Sequence, residues 1–163
     1  MSKYKVEGAV HDVRLLNKEG WFDRKKKRAP RNMGRSSVLA RVGVKYEEKF
    51  FNMLGSRYNR VYIHPWLEFE DDNGKHVCQP DAVLADPFII FECKLSFKYR
   101  KAYSELKTLY KPVVESWLGQ DNPKLVQVCK YLKPSARHTT VVHNMKEVKQ
   151  LDKELLTWVW RPL

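Results

Sequence analysis

The sequence offers little to a membrane, a disulfide scaffold or a nucleotide. Its three cysteines, Cys78, Cys93 and Cys129, are odd in number, widely spaced and without a Cys-x-x-Cys pair. Neither a disulfide framework nor a zinc site is signalled, and a reducing compartment is expected. The N-terminus lacks the apolar stretch of roughly 7–15 residues that a secretory leader needs. Nowhere do about 20 apolar residues run together as a membrane span requires, so a soluble, cytoplasmic protein with no membrane partner is the expectation. The absence of a Gly-rich phosphate loop and of a Gly-x-Ser-x-Gly elbow argues against an NTPase, a serine hydrolase or a nucleotide cofactor. His64, His76, His138 and His143 show no metal-ligand spacing. There is no repeat, low-complexity linker or second domain boundary, and 163 residues suffice for one domain with a real core.

Charge of one sign dominates, and unevenly so. The formal net charge is +12 and the pI near 9.6, which calls for a polyanionic partner. Residues 1–60 hold 16 Lys and Arg against 6 Asp and Glu, whereas 61–163 hold 15 against 13. The densest stretch is Arg24, Lys25, Lys26, Lys27 and Arg28, continued by Arg31, Arg35 and Arg41. Such one-signed runs serve as phosphate-binding arms or localisation signals, and the lack of an interleaved apolar face weakens a membrane-surface role. Residues 1–35 are therefore read as a partly ordered basic arm, in which Tyr4 to Leu16 and Trp21-Phe22 hint at a hairpin. Residues 36–163 are read as a single domain.

Along that domain, Ser36 and Ser37 offer N-caps. Leu39, Val42, Tyr46, Phe50, Met53 and Leu54 recur at helical steps, and Gly55 suits a stop. Val61 to Glu70 and Lys75 to Ala85, joined by Asp71-Asp72-Asn73-Gly74, predict a hairpin, with Pro65 marking an edge or bulge. Asp86-Pro87 turns into a third strand, Phe88 to Leu95. A long helix is expected over Tyr99 to Leu118, carrying Leu106, Leu109, Tyr110, Val113, Val114 and Trp117 and kinked or broken at Pro112. Leu125 to Leu132 should rejoin the sheet through that helical crossover. Thr139 to Val142 would add a strand, Lys146 to Leu156 a helix, and Thr157 to Trp160 a last extended piece. Trp158 and Trp160 alternate like strand residues and are assigned to the core or a dimer contact.

The chemistry concentrates in the middle. Asp81 follows Pro80, and an apolar run then delivers Glu92 and Lys94 two residues apart. In a strand these two side chains share a face while Phe91 and Cys93 take the other. Two carboxylates and an ammonium would converge at one sheet end, a hard-oxygen set suited to Mg²⁺ or Mn²⁺ with a cation beside it for phosphate. On the first helix, an advance of about 100° per residue puts Glu47 near Gly43, Val44, Phe51 and Leu54, while Glu48 aligns with Arg41, Lys45 and Asn52. An acid on an apolar face needs a charge or a metal, so Glu47 is expected beside the other three and Glu48 at the surface. Gln79 either bonds a phosphate or water near the metal or is a plain strand-end residue. Lys98, Arg100, Lys101, Lys107 and Lys111 form a second basic stretch, with Lys107 and Lys111 on one helix face. Contacts of that kind position a phosphate backbone without reading bases.

The pattern Gly43-x-x-Tyr46-Glu47, Pro80-Asp81, Glu92-x-Lys94 resembles the PD-(D/E)xK nuclease superfamily over residues 36–132. It is most similar to archaeal-type Holliday junction resolvases, including phage-borne ones. The resemblance implies an α/β fold with a restriction-endonuclease-like αβββαβ core, a central mixed sheet flanked by helices. It implies that Asp81 and Glu92 coordinate Mg²⁺ or Mn²⁺, with the Cys93 backbone carbonyl as an extra ligand, that Glu47 binds the metal or its water, and that Lys94 orients or deprotonates the attacking water. The expected activity is a metal-dependent DNA endonuclease acting on branched DNA as a homodimer. A flap-acting or end-acting nuclease of the same superfamily and an inactive nucleic-acid-binding module remain the alternatives.

Overall fold

The computed structural model describes residues 4–16, 37–96, 99–131, 147–148 and 154–160. The basic run Arg24, Lys25, Lys26, Lys27 and Arg28, with Arg31, Arg35, Lys98 and the strand expected at Thr139–Val142, lies outside the described residues.

Two prolines divide what reads in sequence as one hairpin. The first expected strand is split at His64-Pro65-Trp66 into β2 (Val61–Ile63) and β3 (Leu67–Asp71). The second is split at Gln79-Pro80-Asp81 into β4 (Gly74–Cys78) and β5 (Ala82–Ala85). Proline has no N–H to give to a ladder, so both breaks fall where pairing must stop. The chain uses them to change sheets. β3 and β4 pair with each other and with β1 (His11–Leu15) in a three-stranded sheet, while β2 and β5 belong to a six-stranded one. The two crossovers lie side by side: the His64 N–H donates to the Asp81 carbonyl at 2.9 Å, and Gln79 Nε2 donates to the His64 carbonyl at 3.1 Å.

In the larger sheet β2, β5 and β6 (Phe88–Ser96) are antiparallel neighbours, and β7 (Lys124–Tyr131) then joins β6 in parallel. β9 (Leu155–Val159) extends the parallel part and β8 (Glu147–Val148) closes the edge, giving the order β2-β5-β6-β7-β9-β8. Of the helix expected over Lys146–Leu156, the described parts are strand instead: Glu147–Val148 forms β8 and Leu155–Leu156 opens β9. All five residues of β9 are buried, because an interior parallel strand is covered on both faces and reads as a continuous apolar run. Pairing with β7 overrides the helical spacing of its leucines.

Helix α1 (Ser37–Arg57) lies on one face of this sheet. It runs two residues past Gly55, so that glycine is not its stop. Tyr46, Phe50, Phe51 and Leu54 pack on Ala82, Leu84, Phe91, Cys93, Val126, Trp158 and Trp160, which places both tryptophans in the core. Val42 and Val44, by contrast, remain 39% and 48% exposed. On the other face lie the three-stranded sheet and a helical crossover of α2 (Tyr99–Glu105), a π-helical turn (Leu106–Tyr110) and α3 (Lys111–Leu118). The break anticipated at Pro112 takes this form. Proline has no N–H for the Thr108 carbonyl four residues back, and the Val6 N–H fills that vacancy from the N-terminal segment at 3.0 Å. Mixed α/β architecture, a mixed sheet flanked by helices and a smaller antiparallel sheet are therefore the structural facts.

Candidate active site

Strand alternation decides what β6 presents to each layer. Ile89, Phe91 and Cys93 face α1, whereas Ile90 faces the helical crossover, and Glu92 and Lys94 share its side. Asp81 sits in the bend just before β5. Its Oδ2 accepts the Cys93 N–H at 2.7 Å, which pins the carboxylate to the backbone between Glu92 and Lys94. Glu92 is buried at 2% exposure, and its Oε1 accepts from Lys94 Nζ at 2.6 Å. Asp81, Glu92 and Lys94 thus meet at one end of β5 and β6, as their sequence order predicts.

A fourth charged group joins them that the sequence pattern did not single out. Glu105, the last residue of α2, is buried at 3% exposure with Oε2 3.6 Å from Lys94 Nζ, and its carboxyl contacts that of Glu92. Glu105 lies in the apolar stripe Ala102, Leu106, Leu109, Tyr110, so the helical-face reasoning applied to Glu47 would have found it. Beyond Glu92, the register of the parallel strands continues the row with Gln127 and Thr157, both buried, and Gln127 Nε2 donates to Thr157 Oγ1 at 3.0 Å. A polar row therefore crosses an otherwise apolar sheet face beneath α2. A glutamine inside the run Leu125-Val126-Gln127-Val128 was its sequence signal.

The electrostatics follow from the burial. Desolvation first, then the Asp81 charge and the Glu105 carboxyl, push Glu92 well above the usual carboxylate range, against the pull of Lys94. Burial alone would lower Lys94, but Glu92, Glu105 and Asp81 outweigh it and hold the ammonium above the ordinary lysine value. Lys94 is therefore a fixed cation, suited to positioning and not to taking a proton. Burial, followed by the charges of Glu92, Glu105 and Asp81, also raises Tyr110 on the π-helical turn, which keeps that phenol neutral. Breaking a buried pair costs about 3–5 kcal/mol, so Lys94 is a structural residue of this site.

No family model, curated protein or solved structure matches the chain.

Glu47 approaches from the α1 side, half-buried, and its charge acts on the Cys93 thiol, whose pKa is raised by burial first and then by Asp81, Glu47 and Glu92. Glu48 is exposed, as its helical position predicts. Gln79 spends its amide nitrogen on the His64 carbonyl, holding the two crossovers together. Lys107 donates to Glu154 and, at 2.7 Å, to Tyr103 Oη; these partners hold its ammonium above the usual lysine value. They tie the crossover to the start of β9. Lys107 is exposed within the π-helical turn, whereas Lys111, which follows that turn, is half-buried at the start of α3.

Asp81, Glu92 and Glu105 supply hard carboxylate oxygens, and Glu92 Oε2 is buried with no N–H donor, its carboxyl in contact with that of Glu105. Mg²⁺ asks for only one or two protein carboxylates and fills its octahedron with water and phosphate oxygens, so the donor set fits such an ion. A more compact trio stands elsewhere: His11, Asp12 and Glu70, on the three-stranded sheet, have ligand atoms within 4.8 Å of one another, the only such group among the described residues. The histidine spacings of the sequence gave no sign of it, since Glu70 is brought opposite His11 only by the β1–β3 pairing. His11 and Asp12 are exposed and already paired with each other at 3.0 Å.

Proposed function

We propose that the protein is a divalent-metal-dependent DNA endonuclease of the PD-(D/E)xK type acting on branched DNA. The observation that carries this reading is the convergence of Asp81, Glu92 and Lys94 at one end of the β5–β6 pair. The element order α1, β2, β5, β6, helical crossover, β7, with the β3–β4 hairpin inserted, supports it as the arrangement such a core requires.

Asp81 and Glu92 hold Mg²⁺ or Mn²⁺, with the Cys93 carbonyl and Glu47 as further contacts. The ion, when bound, neutralises charge developing on the scissile phosphate and lowers the pKa of a water. Lys94, kept protonated by its acidic neighbours, orients the attacking water and stabilises the pentacovalent phosphate electrostatically. The net charge of +12 supplies the attraction to a polyanion. Cutting both strands symmetrically across a junction needs two copies of the site, hence a homodimer.

The test is purified protein with Mg²⁺ on a labelled four-way junction, beside matched duplex, single strand and closed circular DNA. Symmetrical nicks near the crossover are expected, and Asp81→Asn should abolish cleavage, by at least about 100-fold, while DNA binding persists. Degradation confined to ends or flaps would replace junction selectivity with an end-acting nuclease. Binding without cleavage in any divalent metal would leave only a nucleic-acid-binding module.

A further inference from the structure

Resting on that reading, we infer that residues 4–10 are a positioning strap for the active site: Val6, through Thr108, holds the π-helical turn that brings Glu105 and Tyr110 to one side, toward Glu92 and Lys94. The first support is where the turn puts its ends. Glu105 immediately precedes it and Tyr110 closes it. At about 100° per residue, two side chains five apart on an α-helix diverge by about 140°. A turn closed by an i→i+5 bond brings them back together, and here the Lys111 N–H donates to the Leu106 carbonyl in that way. Both side chains accordingly meet the site. Glu105 Oε2 lies 3.6 Å from Lys94 Nζ, and the buried Tyr110 phenol feels the charges of Glu92, Glu105 and Asp81. An uninterrupted α-helix would carry only one of them there.

The second support is what fixes the turn. Pro112 has no N–H with which to make the ordinary α-helical bond to the Thr108 carbonyl, and the Val6 N–H takes that carbonyl at 3.0 Å. Val6 is itself held in place. Tyr4 and Val6 turn inward onto the core shared by the crossover and the three-stranded sheet, while Lys5 and Glu7 stay exposed. On either side of Val6 the segment is tied to that sheet: Tyr4 Oη and the Glu7 N–H donate to Asp71, and the Asp72 N–H donates to the Glu7 carbonyl at 3.0 Å. Farther along, Ser116 Oγ on α3 donates to the Val10 carbonyl at 3.4 Å. The strap therefore bridges the three-stranded sheet to the crossover at Thr108 and again at Ser116. Its influence on the reaction passes through the turn, which makes Val6 a positioning residue and not a catalytic one.

The test uses the full chain as Val6→Pro, which deletes that N–H, Val6→Ala, which keeps it, and Arg14→Gln, which cuts the exposed ion pair to Glu68 farther along on β1. Hydrogen–deuterium exchange reads the turn. Amides of residues 106–111 should exchange at least about tenfold faster in Val6→Pro, with those of β6 and β7 within about twofold of wild type, and the other two variants should stay within about threefold throughout. Junction cleavage with Mg²⁺ reads the site. Misplacing reacting groups by about 1 Å costs about 100-fold in rate, so kcat should fall at least about tenfold in Val6→Pro with KM little changed, and hold in the two controls. Should near-UV circular dichroism show Val6→Pro misfolded, Tyr4→Phe releases the strap from Asp71 with every backbone donor kept, and at least about threefold effects are expected in both readouts. A folded Val6→Pro whose turn amides stay protected, or whose turn loosens while kcat stays at the wild-type value, would overturn the strap and leave the nuclease reading standing. A wild type that cleaves no DNA would overturn both.

Discussion

At Lys94 a single ammonium meets two buried carboxylates, and its removal should be felt in stability before any chemistry is assayed. Lys94→Met is expected to cost about 3–5 kcal/mol at neutral pH, the cost of leaving buried charge uncompensated. The penalty should shrink as the pH falls. Without the ammonium's pull, Glu92, already raised above the ordinary carboxylate range, holds its proton more tightly folded than unfolded, so acidification toward that range favours the folded state. Urea denaturation of wild type and variant at pH 7 and pH 5 reads this directly, and a gap that does not close on acidification would contradict it. The same residues show what the sequence could deliver. Asp81, Glu92 and Lys94 were legible because turn, strand period and charge type coincide within fourteen residues. Glu105 was equally legible from its helical stripe, but lies outside any pattern that draws attention to it. The trio His11, Asp12 and Glu70 was not legible at all, because strand register alone brings it together.

Among the elements, one acid gathers the start of the N-terminal segment onto β3. Asp71, at the end of β3, accepts from Tyr4 Oη at 2.5 Å, from the Glu7 N–H at 3.0 Å and from the Asn73 N–H at 2.9 Å, with His76 Nε2 3.3 Å away. Burial would raise its pKa, but these donors outweigh burial and hold it below the usual aspartate value. A depressed carboxyl stabilises the fold above its unfolded pKa of about 3.9 and loses that contribution as the pH drops through the lower folded value. Wild type should therefore lose stability below about pH 4, and Asp71→Asn should be less stable than wild type at pH 6 and converge with it in acid. Thermal unfolding from pH 6 to pH 2.5 checks this; a constant difference would refute it. Element boundaries also mark where local rules reach their limit. Pro65 and Pro112 announced irregularity, yet only packing decided that the first diverts the chain into a second sheet and that the second pairs with a π-helical turn sealed by Val6. The segment Lys146–Leu156 has helical spacing, but its C-terminal end was claimed by β7.

Over the whole molecule, the proposed function makes the charge imbalance between residues 1–60 and the remainder the feature that would hold DNA. Replacing Arg24, Lys25, Lys26, Lys27 and Arg28 with serine should weaken DNA binding equally for all sequences. It should also flatten the log–log salt dependence by up to about 4–5, near 0.9 for each phosphate that the run no longer neutralises. Fluorescence anisotropy across a NaCl series measures the slope, and an unchanged slope would remove the run from the interface. Binding, however, is common to many basic proteins, and what separates a nuclease from them is where the cation goes. A crystal soaked in Mn²⁺ and measured at the manganese absorption edge gives that answer in one map. A catalytic centre on β5 and β6 predicts an anomalous peak about 2.0–2.3 Å from carboxylate oxygens of Asp81 and Glu92. A peak at His11, Asp12 and Glu70, with none between Asp81 and Glu92, would contradict it.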